Sequence, residues 1–232
     1  MRIRLGAPLA APGTPCVRCG FAFAANTCTH CLLCALPEAT RGHFDCRDCV
    51  LELAHLADPS SQTEVEGLVP STPLLRPADI LSSAALPGRL AALDVGITSP
   101  DAGGAGLDCC ARMHSTKIKR YAPFLEELEN QGVTYAPVIW SAWGRAHPET
   151  ECILLTLAKA AARRRGLRDH RQLLRRTNAA VGVVLVRRAV RMCRSCLESP
   201  EPAELDGLLR GRSPLGDERR TVQLVDGDAE AT

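Results

Sequence analysis

Two aspartates and a lysine in three successive segments are the residues of this chain best suited to chemistry. The segments read Arg76-Pro77-Ala78-Asp79-Ile80, Leu93-Asp94-Val95-Gly96-Ile97 and Lys117-Ile118-Lys119-Arg120-Tyr121. Carboxylates at the ends of adjacent strands can share a divalent cation, and a nearby lysine can orient an attacking water or steady charge on a phosphate. One Asp at a strand end is commonly a turn or cap residue. The order of the segments and their apolar flanks give this pair its weight. Mg²⁺ suits it, because that ion takes near-octahedral oxygen ligation and keeps several waters. The alternative for Lys117 is a surface helix lysine.

A second set of side chains carries metal chemistry of another kind. Cys16-x2-Cys19 followed by His30-x3-Cys34 has the ligand types and paired spacing of a tetrahedral Zn²⁺ site. Cys28, Cys31, His43, Cys46 and Cys49 are alternative ligands, and a second or shared ion fits the count. The spacing of a RING-type cross-brace is not met. Cys46 and Cys49 fall on the inward side of a helix and read as buried thiols, and His43 reads as a cap or packing residue. Cysteines clustered with histidines in the first fifty residues favour metal in a reducing compartment over a secreted disulfide scaffold.

Composition bounds the rest. The chain of 232 residues is 46% hydrophobic and 23% charged, which is globular. With 3% aromatics, its core must be built from Leu, Val and Ala. A net charge of +2 conceals an asymmetry: residues 163–194 hold eleven arginines and one acid, Asp169. Such a block is either a nucleic-acid footprint, with Arg163, Arg164 and Arg165 at its head, or a solvated helix face. No apolar run approaches the roughly 18 residues of a membrane span, and the Pro-interrupted N-terminus does not read as a secretory signal.

The elements that must position these residues follow from periodicity and turn chemistry. Residues 1–15 read as a disordered lead-in and 16–42 as the zinc knuckle. A helix is expected over 43–57, strands over 64–69, 76–82 and 90–98, a helix over 113–130, a strand over 133–140, and helices over 149–165 and 171–197. Residues 199–232 read as a flexible tail. Side chains alternate along a strand, so only one of Glu64 and Glu66 can point inward. Tyr121 packs or hydrogen-bonds nearby. Arg145 and His147 follow a strand end and can touch a DNA backbone, or His147 caps the next helix. Cys109 and Cys110 read as loop packing.

The stretch 64–148 resembles the restriction-like endonuclease domain of site-specific non-LTR retrotransposons, a branch of the PD-(D/E)xK nuclease superfamily. The segments "EVEGLVPSTPLLRPADIL", "LDVGITSPDA" and "WSAWGRAHP" resemble copies of this domain in protist genomes. Members carry a Pro-Asp motif on one strand, an acid on the next, and in this branch a lysine displaced into a Lys-x-x-x-Tyr setting, as Lys117 and Tyr121 have. Two departures stand out: Ala78 is inserted between Pro77 and Asp79, and Gly96 stands where the superfamily has its lysine.

The resemblance implies an α/β fold with a PD-(D/E)xK core over 43–148, made of helix, three strands, helix and strand. A zinc knuckle precedes this core and a basic helical extension, 149–198, follows it. It also implies a metal-dependent DNA endonuclease with catalytic Asp79, Asp94, Lys117 and Glu64, the last chosen because it aligns with the resembling sequences. Mg²⁺ would sit on Asp79 and Asp94, and Zn²⁺ on Cys16, Cys19, His30 and Cys34. Arg145 and Arg163 to Arg165 would contact double-stranded DNA in an intracellular, nuclear setting. The reverse transcriptase would lie outside this chain, which has no Asp-Asp pair of a polymerase. The readings from other classes are a decayed zinc-containing nucleic-acid-binding domain and a zinc-based protein-interaction module.

Overall fold

The computed structural model describes residues 10–23, 28–99 and 108–198, with positions 28 and 29 described by backbone alone. The expected tail, 199–232, lies outside these residues, as does most of the expected lead-in. Helices α1 (Cys28–Cys34) and α2 (Leu36–Ala57) lead into strands β1 (Gln62–Thr63), β2 (Ile80–Leu86) and β3 (Arg89–Thr98). Helix α3 (Cys109–Tyr121), a 3-10 turn (Ala122–Phe124) and α4 (Leu125–Asn130) precede β4 (Val133–Ser141). Helices α5 (Pro148–Arg164) and α6 (His170–Leu197) complete the described chain. The described residues form a mixed α/β fold, with a four-stranded sheet in the order β1-β2-β3-β4. Only β3 and β4 pair in parallel.

Strands buried on both faces read as near-continuous apolar runs, and β3 and β4 are such strands. Their side chains alternate between two layers. Leu93 and Val95 of β3, with Ala136, Val138 and Trp140 of β4, meet Val50 and Leu53 of α2, Leu154 and Leu157 of α5, and Val181 and Leu185 of α6. On the other face Ala92, Val133 and Tyr135 meet Tyr121 and Leu128, and Ile139 meets Cys109, Cys110 and Met113. Pro137, which lacks the ladder N–H, is tolerated because β4 is an edge strand.

Four expectations need correction. No strand spans 64–69: β1 ends at Thr63, and Glu64 takes a left-handed conformation, φ 54°, that stops the ladder. The helix expected over 113–130 starts at Cys109 under an Asp108 cap and is broken at Pro123, so Cys109 and Cys110 occupy the first turn of α3. The domain boundaries at 42/43 and 148/149 do not separate cores, because α2 runs across the first and residues 10–198 fall in one compact unit. Helices α5 and α6 carry buried residues every three or four positions along their lengths. They are part of the core, and an extension only in sequence. The strand expected over 76–82 begins only at Ile80 and runs on to Leu86, with a bulge between Ser82 and Leu86 before the Pro87-Gly88 turn.

Candidate functional site

On the face of the sheet that α3 covers, Asp94 is buried at 8% exposure between two side chains that grip its carboxylate. Lys117 Nζ donates to Oδ1 at 2.6 Å, and the Tyr135 hydroxyl donates to Oδ2 at 2.5 Å. Lys117 comes from α3 and Tyr135 from β4, so three elements converge on one group. Glycine at position 96 makes the approach possible. A Cβ there would lie 2.7 Å from Ile139 Cδ1 and 2.9 Å from Lys117 Cε. The missing side chain is the channel through which the lysine stem passes.

Asp79 stands just before β2. Its backbone N–H donates to Leu93 O at 2.9 Å, which extends the antiparallel ladder by one position and sets Asp79 opposite Asp94. Its Oδ2 accepts from Val95 N at 2.7 Å, and its Oδ1 lies 3.2 Å from His43 Nε2. His43 was expected as a cap or packing residue beside a helix start. Because α2 begins seven residues earlier, at Leu36, His43 sits within the helix and reaches the acid. Spacing alone carried no signal for His43 or for Tyr135, since each acts across elements far apart in sequence.

The two carboxylates titrate in opposite directions. Burial acts to raise Asp79, but the His43 hydrogen bond and charge, the Val95 N–H and the Lys117 charge outweigh it and hold the group low. Asp94 is raised, chiefly by burial and further by the charge of Asp79, with Lys117 and Tyr135 pulling the other way. Tyr135 itself is pushed up by burial and by Asp94, so it remains a donor.

The carboxylate of Glu64 does not join this pair. It engages Arg47 at 3.2 Å and Arg76 at 3.5 Å, while its backbone N–H donates to Asp79 O at 3.3 Å. Among the described residues, the tight groupings of His, Cys, Asp and Glu able to hold an ion are Cys16–Cys19–His30–Cys34, Asp108–Cys109–Cys110 and His114–His147–Glu149. Asp79, Asp94 and Glu64 form no such grouping. Tyr121 hydrogen-bonds Arg76 O at 3.4 Å and packs on the Tyr135 ring, centroids 4.6 Å apart.

The cysteine cluster forms around a hairpin that pairs Pro15 with Ala22. Gly20, at φ 75°, turns the chain and donates to Cys16 O at 2.8 Å. His30 and Cys34, one turn apart on α1, bring the second pair of ligands. Cys16 and Cys34 sulfurs lie 3.9 Å apart, Cys19 Sγ lies 3.3 Å from His30 Nε2, and all four ligand atoms are within 4.8 Å of one another. A zinc tetrahedron with bonds of about 2.0–2.3 Å puts its ligands roughly 3.3–3.8 Å apart, so this set can hold that ion. Phe21 stacks on the His30 ring at 4.4 Å and Phe23 meets it edge-on. Burial raises the Cys16 thiol, but hydrogen bonds from the Arg18 backbone, His30 and Cys19 bring it down to about 6, toward the thiolate that binds metal. Cys46 packs in the main core, with burial pushing its thiol up to about 12.

Of the basic residues, Arg145 is paired through both its terminal nitrogens with Asp108, the N-cap of α3. That clasp occupies the group expected on DNA. His147 caps α5 by accepting from Glu149 N at 3.3 Å, and its ring stacks on His114 at 4.2 Å. Arg163, Arg164 and Arg165 are exposed at the end of α5. The arginine block is not uniform, since Arg188 is buried and Arg191 pairs with Glu38 and Asp45. No described helix is long and apolar enough to cross a membrane. Compared with protein-family profiles, with curated proteins and with solved structures, the chain has no match in any of the three.

Proposed function

We propose that this chain is a divalent-metal-dependent DNA endonuclease module of non-LTR retrotransposon origin, with a PD-(D/E)xK core. The observation that carries the reading is Lys117 reaching Asp94 through the gap left by Gly96. The lysine absent from the strand is thereby supplied from the following helix at the same acid. Asp79 and Asp94 would hold Mg²⁺. The fit rests on their chemistry: two facing carboxylates are hard oxygen donors, and Asp79 raising the pKa of Asp94 is a repulsion that a cation relieves. What the bound ion supplies is neutralisation of phosphate charge and a more acidic water.

The chain's own residues do the rest. His43 and the Val95 N–H fix the rotamer of Asp79, and Tyr135 fixes that of Asp94. Lys117, positioned by α3, contacts the phosphate or the attacking water as negative charge builds. The water oxygen bonds to phosphorus while the bond to the 3′ oxygen breaks, and that oxygen takes up a proton and leaves as a 3′-hydroxyl. A polymerase elsewhere in the element could extend this end. The zinc knuckle and the exposed arginines of α5 and α6 would hold duplex DNA through phosphates, without sequence preference.

The test is nicking of supercoiled plasmid with Mg²⁺. Asp79→Ala and Asp94→Ala are expected to abolish nicking with DNA affinity retained, and Lys117→Ala to slow it with metal binding retained. An unmutated chain that cuts no DNA substrate would sink the enzyme reading. The reading left standing, favoured by the engagement of Glu64 with Arg47 and Arg76, is a decayed nucleic-acid-binding domain.

A further inference from the structure

Outside the knuckle and the aspartate pair, His114, His147 and Glu149 come together although α4 and β4 separate them along the chain. His114 belongs to α3, His147 is the N-cap of α5 and Glu149 lies in the first turn of that helix. One ligand atom from each lies within 4.8 Å of the other two. His114 Nε2 is 3.0 Å from a Glu149 carboxylate oxygen, and the two imidazole rings stack at 4.2 Å. The surrounding backbone is held from both sides. His147 N donates to Ile139 O at 2.9 Å and Ile139 N donates to Thr150 Oγ1 at 2.7 Å, which ties the start of α5 to β4. The pairing of Arg145 with Asp108 clasps the loop before α5 to the start of α3. The His114 side chain is 13% exposed and that of Glu149 61%, so the cluster is anchored on one side and open to solvent on the other.

Two imidazoles and one carboxylate are the donor set of zinc sites that keep a fourth position for water or a ligand. Nitrogen donors suit zinc and its transition-metal neighbours, whereas Mg²⁺ takes oxygen ligands. We propose that His114, His147 and Glu149 bind a zinc ion, with the remaining coordination position on the solvent side. The ion replaces two contacts. It takes the place of the pairing between His114 and Glu149, and either nitrogen of His147 that ligates it ends the cap bond from Glu149 N, which at 3.3 Å is long. Stacked rings hold their nitrogen lone pairs in parallel planes, so one ring turns about χ2, a soft torsion in histidine, as the ion enters. The competing account is a surface ion pair beside an ordinary helix cap, and it predicts indifference to zinc.

The test uses the full chain under reducing conditions, with its cysteine cluster already supplied with zinc. Further zinc is expected to bind as one more ion per chain in calorimetry and to shift the ring nitrogens of His114 and His147 in ¹⁵N NMR, while Mg²⁺ does neither. His147→Asn keeps a residue that caps helices well and removes a ligand. It is expected to weaken this binding by roughly tenfold or more with little change in melting temperature, and Glu149→Gln is expected to weaken it likewise. The ring-nitrogen spectrum needs no variant, so it decides the matter even if a variant misfolds. Ring nitrogens that do not move in excess zinc, or an affinity unchanged in both variants, would overturn the site. Either result leaves Mg²⁺-dependent nicking, and with it the nuclease reading, untouched.

Discussion

Asp94 is the residue on which the site depends, and its environment makes its ionisation testable. Burial holds its folded-state pKa above the roughly 3.9 of an unfolded Asp, and Lys117 is the main opposing charge. Folding therefore favours the protonated form. The resulting stability is full below the unfolded pKa and lost as pH rises through the folded one. Metal-dependent nicking, which needs the ionised form, should rise with pH through a midpoint above the ordinary carboxylate range. Lys117→Met should move that midpoint higher, read from the pH dependence of nicking or by carboxyl NMR. A midpoint that moves down would mean the lysine does not act on Asp94. Gly96→Ala tests the channel itself. Its Cβ would crowd Ile139 and Lys117, and misplacing Lys117 by about 1 Å should cost on the order of tenfold to a hundredfold in nicking rate. Full activity in that variant would show that the lysine has another route.

At the scale of elements, α5 carries two separable roles. Its inner face is structural: Leu157 is fully buried against the sheet, and Leu157→Ala should destabilise the chain by about 2–5 kcal/mol in urea unfolding. Its outer end is exposed and basic. Replacing Arg163, Arg164 and Arg165 with Ala should flatten the salt dependence of duplex binding by roughly two to three units if all three reach phosphates, with stability little changed. An unchanged slope would make them a solvated helix end. Arg145 belongs to a different class, because Asp108 holds it. Arg145→Ala should lower the melting temperature by loosening the start of α3 and leave the salt slope alone, which separates a clasp from a DNA contact.

Across the whole molecule, the cysteine-lined N-terminal segment and the last helix share a core. Met192, Cys193 and Cys196 of α6 pack with Cys16, Cys31 and Leu32. Metal removal should therefore reach beyond the knuckle. A zinc chelator is expected to lower the melting temperature of the whole chain and to raise hydrogen exchange at the C-terminal end of α6 as well as in α1. Loss of protection confined to residues 16–34 would mean that the knuckle folds apart from the rest.

Local chemistry in the sequence was enough to set several features. The paired spacing of Cys16, Cys19, His30 and Cys34 pointed to a grouping of ligands able to hold a metal, because those residues are neighbours along the chain. The apolar runs of β3 and β4 and the helical periodicity of α5 and α6 are also local patterns, so elements of those types were expected near their observed positions. Proximity between distant segments was not legible. His43 reaching Asp79, Tyr135 reaching Asp94 and Glu64 turning to Arg47 and Arg76 are set by how α2, β4 and the turn after β1 meet the sheet. Gly96 is the clearest case. Set against the domains it resembles, it stands where they carry a lysine, and only the packing of α3 over β3 and β4 makes it the opening that Lys117 uses, because the room a side chain needs is a property of its neighbours in space.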